Sequence, residues 1–318
     1  MTKHPQFRAY MALLAVYFFW GTTYLGIRVA LESFSPLTLL AVRYLCSGAI
    51  LLIAAKVYGA RLPSGRELWL TALYGVIVLG GGNGSLVFAE QMVPSGVAAL
   101  MIVTSPFWMV GLNRWLGDQE RIHWPAMAGI VVGFGGVVLL FAPSSGTQAP
   151  VDLNLIHGFA ILQAGCFLWC LGALLQKKQT TQAHPVVSGA VQQLATGIAF
   201  SIPALVMPHS TAPVSMRSIA GLAWLIVFGS IVGYSAFIYV MEHLPVPIVT
   251  TYNYVNPIVA MCLGWLFYRE PFGIREASAM MVIFLGVALV KWATKKPAIP
   301  SREPLLPEPR QQRKSASS

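Results

Sequence analysis

The sequence predicts an all-α integral membrane protein with ten transmembrane helices, arranged as two inverted five-helix repeats. Three observations support this fold class: the composition, the length of the apolar runs and a self-similarity at constant spacing. Of the 318 residues, 56% are hydrophobic and 10% are charged, and the mean hydropathy is +0.66. Because a soluble globular protein carries about 25% charged residues, a single water-soluble core cannot hide this much apolar surface.

Ten apolar runs have the length of roughly 20 residues that a helix needs to cross a bilayer. Several begin at proline, which suits the first turn of a helix. The first run lacks a small-residue cleavage site, so we expect a retained crossing and not a signal peptide. The predicted crossings are residues 9–31, 36–57, 67–89, 94–116, 124–141, 156–176, 185–207, 219–241, 246–268 and 274–292.

The chain repeats itself at a spacing of about 150 residues. The segment PSGVAALMIVTSP begins at Pro94, and PVPIVTTYNYVNP begins at Pro245, 151 residues later. WGTTYLGIR at Trp20 corresponds to WCLGALLQK at Trp169, 149 residues later. Because five crossings is an odd number, the second unit must enter the membrane in the opposite sense to the first. Transporters with inverted repeats place the substrate near the midplane, between the repeats.

The distribution of basic residues predicts the topology. Lys and Arg residues of the first half and of the tail favour cytoplasmic termini, although Arg217, Arg269 and Arg275 oppose this orientation. The net charge of +10 is dispersed between apolar runs, which argues against nucleic acid and for contact with membrane lipids. The predicted parts are a cytoplasmic N-terminus (1–8), a first repeat (9–141), an external linker (142–155), a second repeat (156–293) and a disordered basic cytoplasmic tail (294–318).

The stretch from Pro245 to Glu270 carries polar side chains within an apolar run of membrane length. Because unsatisfied polar groups are costly in lipid, Tyr252, Asn253 and Asn256 are expected to face a cavity. Pro257 follows directly and removes one helical hydrogen bond, which frees the carbonyl of Asn253 for another partner.

Further motifs run through both halves. They are FFWGTTYLGIRVALESFSP from Phe18, LLAVRYLCSGAILL from Leu39, the two Pro-x11-Pro segments with their LGDQE and FYRE ends, and the FGGVVLL and LGVALV helices. In these motifs, across residues 10–293, the chain resembles the EamA-type permeases of the drug/metabolite transporter superfamily. The resemblance implies a ten-helix carrier of the bacterial inner membrane, usually an exporter of amino acids, metabolites or drugs. It also implies a central cavity built by the first, third and fourth helices of each repeat.

The candidate substrate-binding residues are aromatic, amide and hydroxyl side chains of those helices. Trp20 lies about ten residues into its helix, too deep for an interfacial anchor, and plain helix packing is its alternative role. Asn83 belongs to a glycine run that lacks the Lys-Ser/Thr ending of a phosphate loop, so close packing or a hinge is expected there. The full set is Trp20, Thr23, Tyr24, Asn83, Ser105, Trp108, Trp169, Tyr234, Tyr252, Asn253 and Asn256.

Five charged residues within or at the ends of helices are candidates for gating or coupling, because an ionisable residue in a membrane is functional by default. Arg28 and Lys177 are repeat counterparts, and Glu90 and Glu242 correspond within one residue. Each half therefore holds one cation near one acid, either as an interfacial ion pair or as a gate. Arg43 has four candidate roles: snorkelling outward, capping carbonyls, pairing with Glu90 or binding a substrate carboxylate.

These observations predict a secondary carrier for a small organic solute, with two repeats that rock about a central site. The alternatives are a channel, a non-transporting membrane scaffold and an intramembrane enzyme. No acid pair, Ser/His pair or metal spacing lies at membrane depth in the sequence, so no catalytic residue, metal or cofactor is expected. A proton or a counter-substrate is the candidate coupling partner, and the expected oligomeric state is a monomer or a homodimer.

Overall fold

A computed structural model describes residues 5–116, 124–141, 152–179, 182–207, 210, 212–244, 246–249, 251–270 and 272–293. These residues form helices, turns and short connections, with no strand among them. We number helical pieces that continue one another as one helix. The helices are α1 (Pro5–Ala30), α2 (Pro36–Val57), α3 (Gly65–Ala89), α4 (Ser95–Trp115), α5 (Trp124–Leu140), α6 (Leu153–Lys178), α7 (Pro185–Val206), α8 (216–243), α9 (246–268) and α10 (Ile274–Ala293).

Eight of these helices are long and apolar enough to cross a membrane, namely α1 to α4, α6 to α8 and α10. Helix α5 is apolar but has 17 residues, about 26 Å at 1.5 Å per residue, which is the lower limit for a hydrocarbon core of about 30 Å. Helix α9 is divided into two pieces. The all-α class is confirmed for the described residues, whereas ten complete crossings stay a prediction. The predicted tail and most of the predicted linker lie outside the described residues.

Large apolar side chains cover the outside of the bundle. Trp69, Ile202 and Leu205 are each at least 70% exposed. Contiguous apolar surface on a monomer marks contact with other apolar material. For helices of membrane length that material is lipid.

Glycines bring together helices that occupy the same position in the two units. A Cβ added at Gly48 of α2 would lie 2.7 Å from the backbone nitrogen of Leu194 in α7. A Cβ added at Gly129 of α5 would lie 2.7 Å from the carbonyl oxygen of Gly286 in α10. In lipid, small residues allow this close approach of helix backbones. The second and fifth helices of each unit thus pack on their own counterparts.

Helices α3 and α8 each contain a π-helical segment, Val76–Asn83 and Leu225–Val232. The two segments begin 149 residues apart, so they fall at corresponding places in the two units. A π-segment interrupts the regular α-helical pattern and is frequent at functional sites. Neither segment was predicted from the sequence.

Helices α4 and α9 are both interrupted. Thr104 Oγ1 donates to the carbonyl of Met101 at 2.7 Å, and Thr251 Oγ1 donates to the carbonyl of Ile248. These hydroxyls satisfy carbonyls that a break would leave free inside lipid. The break in α9 precedes Pro257, which itself lies within the second piece. The pieces are Ser95–Ile102 and Ser105–Trp115 in α4, and Val246–Val249 and Tyr252–Tyr268 in α9.

Candidate functional site

The central tryptophan of each unit's first helix packs on the third helix of the other unit. Trp20 Nε1 in α1 donates to the carbonyl of Gly229 in α8 at 3.2 Å. A Cβ added at Gly233 would lie 2.7 Å from that indole nitrogen. Trp169 in α6 lies against Gly82 of α3, where an added Cβ would lie 2.9 Å from the tryptophan Cβ. Glycine is therefore required at both places for the indoles to fit.

Three aromatic rings form a cluster around Trp20. Its ring centroid lies 4.9 Å from that of Phe237 and 5.2 Å from that of Tyr252, the latter perpendicular to it. Phe237 and Tyr252 are themselves 5.9 Å apart and nearly perpendicular. All three side chains are partly exposed. Aromatic faces of this kind pack against apolar groups and attract cations. The cluster can therefore bind an apolar part or a cationic part of an organic solute.

Gln163 of α6 forms hydrogen bonds with residues at the break in α4. Its Oε1 accepts from Trp108 Nε1 at 2.9 Å and lies 3.1 Å from Thr104 Oγ1, while its Nε2 donates to the carbonyl of Met101 at 3.3 Å. Ser105 donates to its own helix, at the carbonyl of Ile102, so its hydroxyl supports the break. Sequence reasoning missed Gln163, although a lone amide in an apolar helix was a detectable signal.

Residues of α1 form hydrogen bonds at the break in α9 in a similar way. The hydroxyls of Tyr17 and Thr251 form a hydrogen bond. The Asn256 side chain is 6% exposed, and its amide nitrogen donates to the carbonyls of Tyr17 at 3.2 Å and Tyr252 at 3.3 Å in the orientation that satisfies both. Each broken helix is thus tied to the first helix of the other unit.

Two further predicted residues, Thr23 and Tyr234, contact their own helix or a neighbouring helix. Thr23 Oγ1 donates to the carbonyl of Trp20 at 2.6 Å, within its own helix. Tyr234 contacts Gly189, which places its ring between α8 and α7. Their contribution to substrate binding stays a prediction.

Three other predicted residues keep polar groups in the interior. The Oδ1 atom of Asn83, at the end of the π-segment in α3, is buried without a hydrogen-bond partner among the described residues. Tyr24 is 7% exposed, and its hydroxyl lies within electrostatic range of Glu90 and Tyr252. Asn253 is partly exposed on the first turn of the second piece of α9.

Arg43 is buried in the bundle, with 3% of its surface exposed. Its Nε donates to Ser230 Oγ at 2.9 Å, and its guanidinium lies 5.2 Å from the ring centroid of Tyr44. One terminal nitrogen is buried without a hydrogen-bond partner in the described part of the chain. Arg43 therefore adjoins the π-segment of α8 and forms no ion pair with Glu90 among the described residues.

The end of the bundle where α3 finishes is called here the Glu90 end. Arg28 donates to the backbone carbonyl of Glu90, so the guanidinium caps α3. The Glu90 side chain is fully buried, and both carboxylate oxygens lack a hydrogen-bond partner among the described residues. Glu90 follows the last residue of the α3 span. Burial and the neighbouring Glu270 carboxylate raise its pKa well above the usual range, while Arg28 opposes that shift.

Glu270 joins the end of α9 to the start of α4. Its carboxylate accepts from the backbone nitrogen of Ser95 at 2.9 Å, from Ser95 Oγ at 2.9 Å and from the nitrogen of Gly96 at 3.2 Å. A carboxylate at a helix N-terminus is favourable because it meets free N–H groups and the positive end of the helix dipole. Arg269 precedes it in the left-handed conformation, at φ 53°, which turns the chain back on α9.

The opposite end, where α3 begins, is called here the Glu67 end. Glu67 Oε1 accepts from the backbone nitrogen of Gln182 at 2.9 Å, and Lys178 Nζ donates to the carbonyl of Leu116 at 2.9 Å. These contacts join α3 to the α6–α7 connection and α4 to α6. Lys177 is exposed on the last turn of α6, whereas the side chain of its predicted partner Glu242 lies outside the described atoms.

A groove of about 430 Å³ lies between α9 and α10 and is apolar throughout, with Ile258, Trp265 and Met280 among its walls. An exposed apolar groove of this kind suits a lipid chain. Among the described residues, no group of three His, Cys, Asp or Glu side chains is placed to hold a metal ion.

The chain is similar to known proteins along most of its length. Residues 7–142 and 157–292 each match the EamA-like transporter family. The chain is 33% identical to the uncharacterized inner membrane transporter YedA of Escherichia coli (strain K12) over 282 residues, 88% of this chain and 89% of the relative. It is 26% identical to a "Probable terminal-alkyne amino-acid exporter" of Streptantibioticus cattleyicolor, over 83% of this chain and 86% of that one. A solved crystal structure with 20% sequence identity has a TM-score of 0.63, covering 89% of this chain and 96% of that chain, which shows similarity of fold.

Proposed function

Since the chain belongs to the EamA-like transporter family, we propose that it is a secondary carrier that exports small organic metabolites, such as amino acids or drug-like compounds, by alternating access. The exporter named among its relatives supports the direction and the substrate class. The observation that carries the proposal is that two helices, α4 and α9, are broken. The first helix of the other unit forms hydrogen bonds at each break, and the same first helix carries a tryptophan that packs on a glycine.

The proposed architecture is ten crossings in two inverted repeats. The doubled family match supports the duplication. The π-segments of α3 and α8 and the breaks of α4 and α9 fall at corresponding positions, and α2 and α5 pack on their counterparts α7 and α10. Because each unit contributes an odd number of crossings, the duplication requires inversion. Broken helices that meet near the midplane form the substrate site in carriers of this type.

The proposed substrate site lies between α1, α4, α6 and α9. Aromatic faces come from Trp20, Trp108, Trp169 and Tyr252, and the amide of Gln163 adjoins Trp108. At the Glu90 end, Arg28 joins α1 to the end of α3 and Glu270 joins the end of α9 to α4, which supports closure at that end.

The proposed location is the bacterial inner membrane, in keeping with the named relatives. Both termini are placed in the cytoplasm by the basic residues of the first half and tail. The Glu90 end then faces outward and the Glu67 end faces the cytoplasm. A monomer or a homodimer is compatible with this arrangement.

A thermal-shift screen of the purified protein against amino acids, sugars and cationic dyes tests the proposal. A compound that binds the folded state raises its apparent stability, and this compound is then used for counterflow in proteoliposomes. We expect Trp20→Ala and Asn256→Ala to lose both the stabilisation and the counterflow. Trp69→Ala, at a side chain that is 77% exposed on the lipid side, is the matched control and is expected to keep both.

The alternatives give different outcomes in the same vesicles. A channel passes solute without saturation or counterflow, and a membrane scaffold passes none. Wild-type counterflow in both Trp20→Ala and Asn256→Ala would remove these residues from the substrate site.

A further inference from the structure

The Glu90 carboxyl occupies a place that stabilises its neutral form. Its side chain is fully buried, and neither carboxylate oxygen has a hydrogen-bond partner among the described residues. Arg28 donates to the backbone carbonyl of Glu90, so that hydrogen bond does not compensate a charge on the carboxylate. A buried, unpaired carboxylate is far more costly than a buried carboxylic acid, and such a group usually takes up a proton.

The neighbours of Glu90 distinguish it from the other acid at this end. Glu270 accepts three hydrogen bonds from Ser95 and Gly96, whereas the Glu90 carboxyl accepts none among the described residues. When two carboxyl groups share a buried site, one of them is strongly favoured to stay protonated, and here it is Glu90. The charged and titratable groups facing it are Arg28 and Tyr24 from α1 and Glu270 from the end of α9.

We propose that Glu90 is a proton-binding site that couples the carrier to the transmembrane proton gradient. When Glu270 leaves the N-terminus of α4, the Glu90 end opens and its carboxyl exchanges a proton with water on that side. When Glu270 returns, Glu90 is enclosed as a neutral acid and the proton is carried with it. The proton leaves towards the Glu67 end when water in the central site reaches Glu90, so one O–H bond is formed and broken in each cycle.

This proposal rests on the proposed function, since it assigns the driving ion of the same carrier. The two are separable by experiment because proton binding is measurable without any organic substrate. The probe is the proton itself, applied as a pH jump to proteoliposomes adsorbed on a solid-supported membrane. The charge displaced after the jump reports proton uptake or release within the protein.

The decisive variant is Glu90→Gln, which keeps the shape of the neutral acid but cannot titrate. We expect its displaced charge to fall at least about tenfold below that of the wild type, since one group carries the signal. The control is Asp152→Asn at the same end of the bundle, where Asp152 is exposed and caps α6. Because asparagine caps helices as well as aspartate does, this variant is expected to displace the wild-type charge.

Monodispersity on size-exclusion chromatography shows whether Glu90→Gln folds. Glu90→Asp is the second variant, since it keeps a carboxyl in a changed position. It is expected to displace charge with a shifted pH midpoint. Wild-type charge in Glu90→Gln, or an unchanged midpoint in Glu90→Asp, overturns the proposal. So does a wild-type protein that displaces no charge between pH 5 and pH 9, and in that case ligand stabilisation and counterflow still test the exporter separately.

Discussion

Replacing Glu270 with glutamine is expected to open the Glu90 end about 60-fold more often. The carboxylate accepts three hydrogen bonds from the first residues of α4, and bonds to a charged group contribute about 1.5 kcal/mol each at the lower end of their range. Glutamine has one acceptor oxygen, which keeps about two neutral bonds of about 1 kcal/mol each. The closed conformation therefore loses about 2.5 kcal/mol, and about 1.4 kcal/mol corresponds to a factor of ten.

Opening is measured as the rate at which a buried cysteine reacts with a water-soluble maleimide in nanodiscs. Met261 is 6% exposed and packs on Gly96 directly below the cap, so Met261→Cys reports separation of α9 from α4. The native cysteines are first replaced by alanine. When closing is faster than labelling, the rate follows the open population, and Glu270→Gln is expected to react about 60-fold faster.

The matched control is Glu276→Gln. This acid lies at the same end of the bundle, but its hydrogen bonds run to Gly273 and Arg275, next to the start of α10. Its neutralisation is expected to change the labelling rate less than about threefold, because no bond between α4 and α9 is lost. Wild-type labelling in Glu270→Gln would refute the reasoning, and equal acceleration in both variants would show a general loss of packing.

Three further outcomes are expected from thermal and chemical unfolding. Gly233→Ala places a Cβ 2.7 Å from Trp20 Nε1 and should cost about 1–3 kcal/mol by overpacking, whereas Gly135→Ala, with no atom within 4 Å of the added Cβ, should change stability by less than about 0.5 kcal/mol. Gln163→Leu removes the acceptor of Trp108 Nε1, while Thr104 keeps its hydrogen bond to Met101, and should cost about 1–3 kcal/mol; wild-type stability would contradict the described hydrogen bonds. The pKa of Glu90 is higher in the folded protein than in the unfolded chain. The stability that the protonated carboxyl contributes is therefore fully present below the pKa of the unfolded chain, and it is lost as the pH rises through the pKa of the folded protein. Relative to Glu90→Gln, the wild type should lose stability from about pH 5 upward, by at most about 1.4 kcal/mol per pH unit, and a pH-independent difference would contradict this.

The sequence predicted the all-α class and the family, because both depend on signals spread over many residues. Apolar runs of membrane length and the Pro-x11-Pro segments survive local irregularity, and the family match confirms the resemblance. The polar stretch around Asn256 is unusual in the sequence, since an amide in lipid needs partners. Its role in substrate binding stays a prediction.

The sequence did not predict the π-segments or the break in α4, and it placed the disruption of α9 at Pro257, whereas the break precedes that residue. A π-turn differs from an α-turn by one inserted residue, which composition does not reveal. The break in α9 depends on hydrogen bonds from Tyr17, 234 positions away in the chain. The cap by Glu270 requires the left-handed Arg269, a conformation that favours glycine and is not expected at arginine. Long-range partners of this kind become visible only when the helices are assembled.

The contacts also divide the central helices into two groups. Trp20 joins α1 to α8, and Tyr17 joins α1 to α9. Trp169 packs α6 on α3, and Gln163 joins α6 to α4. Each group combines the first helix of one unit with the third and fourth helices of the other, so the groups are not the two sequence repeats themselves. The Glu270 cap links one group to the other at the Glu90 end, because α9 and α4 belong to different groups. Its loss should therefore separate whole groups of helices, and not merely release one loop.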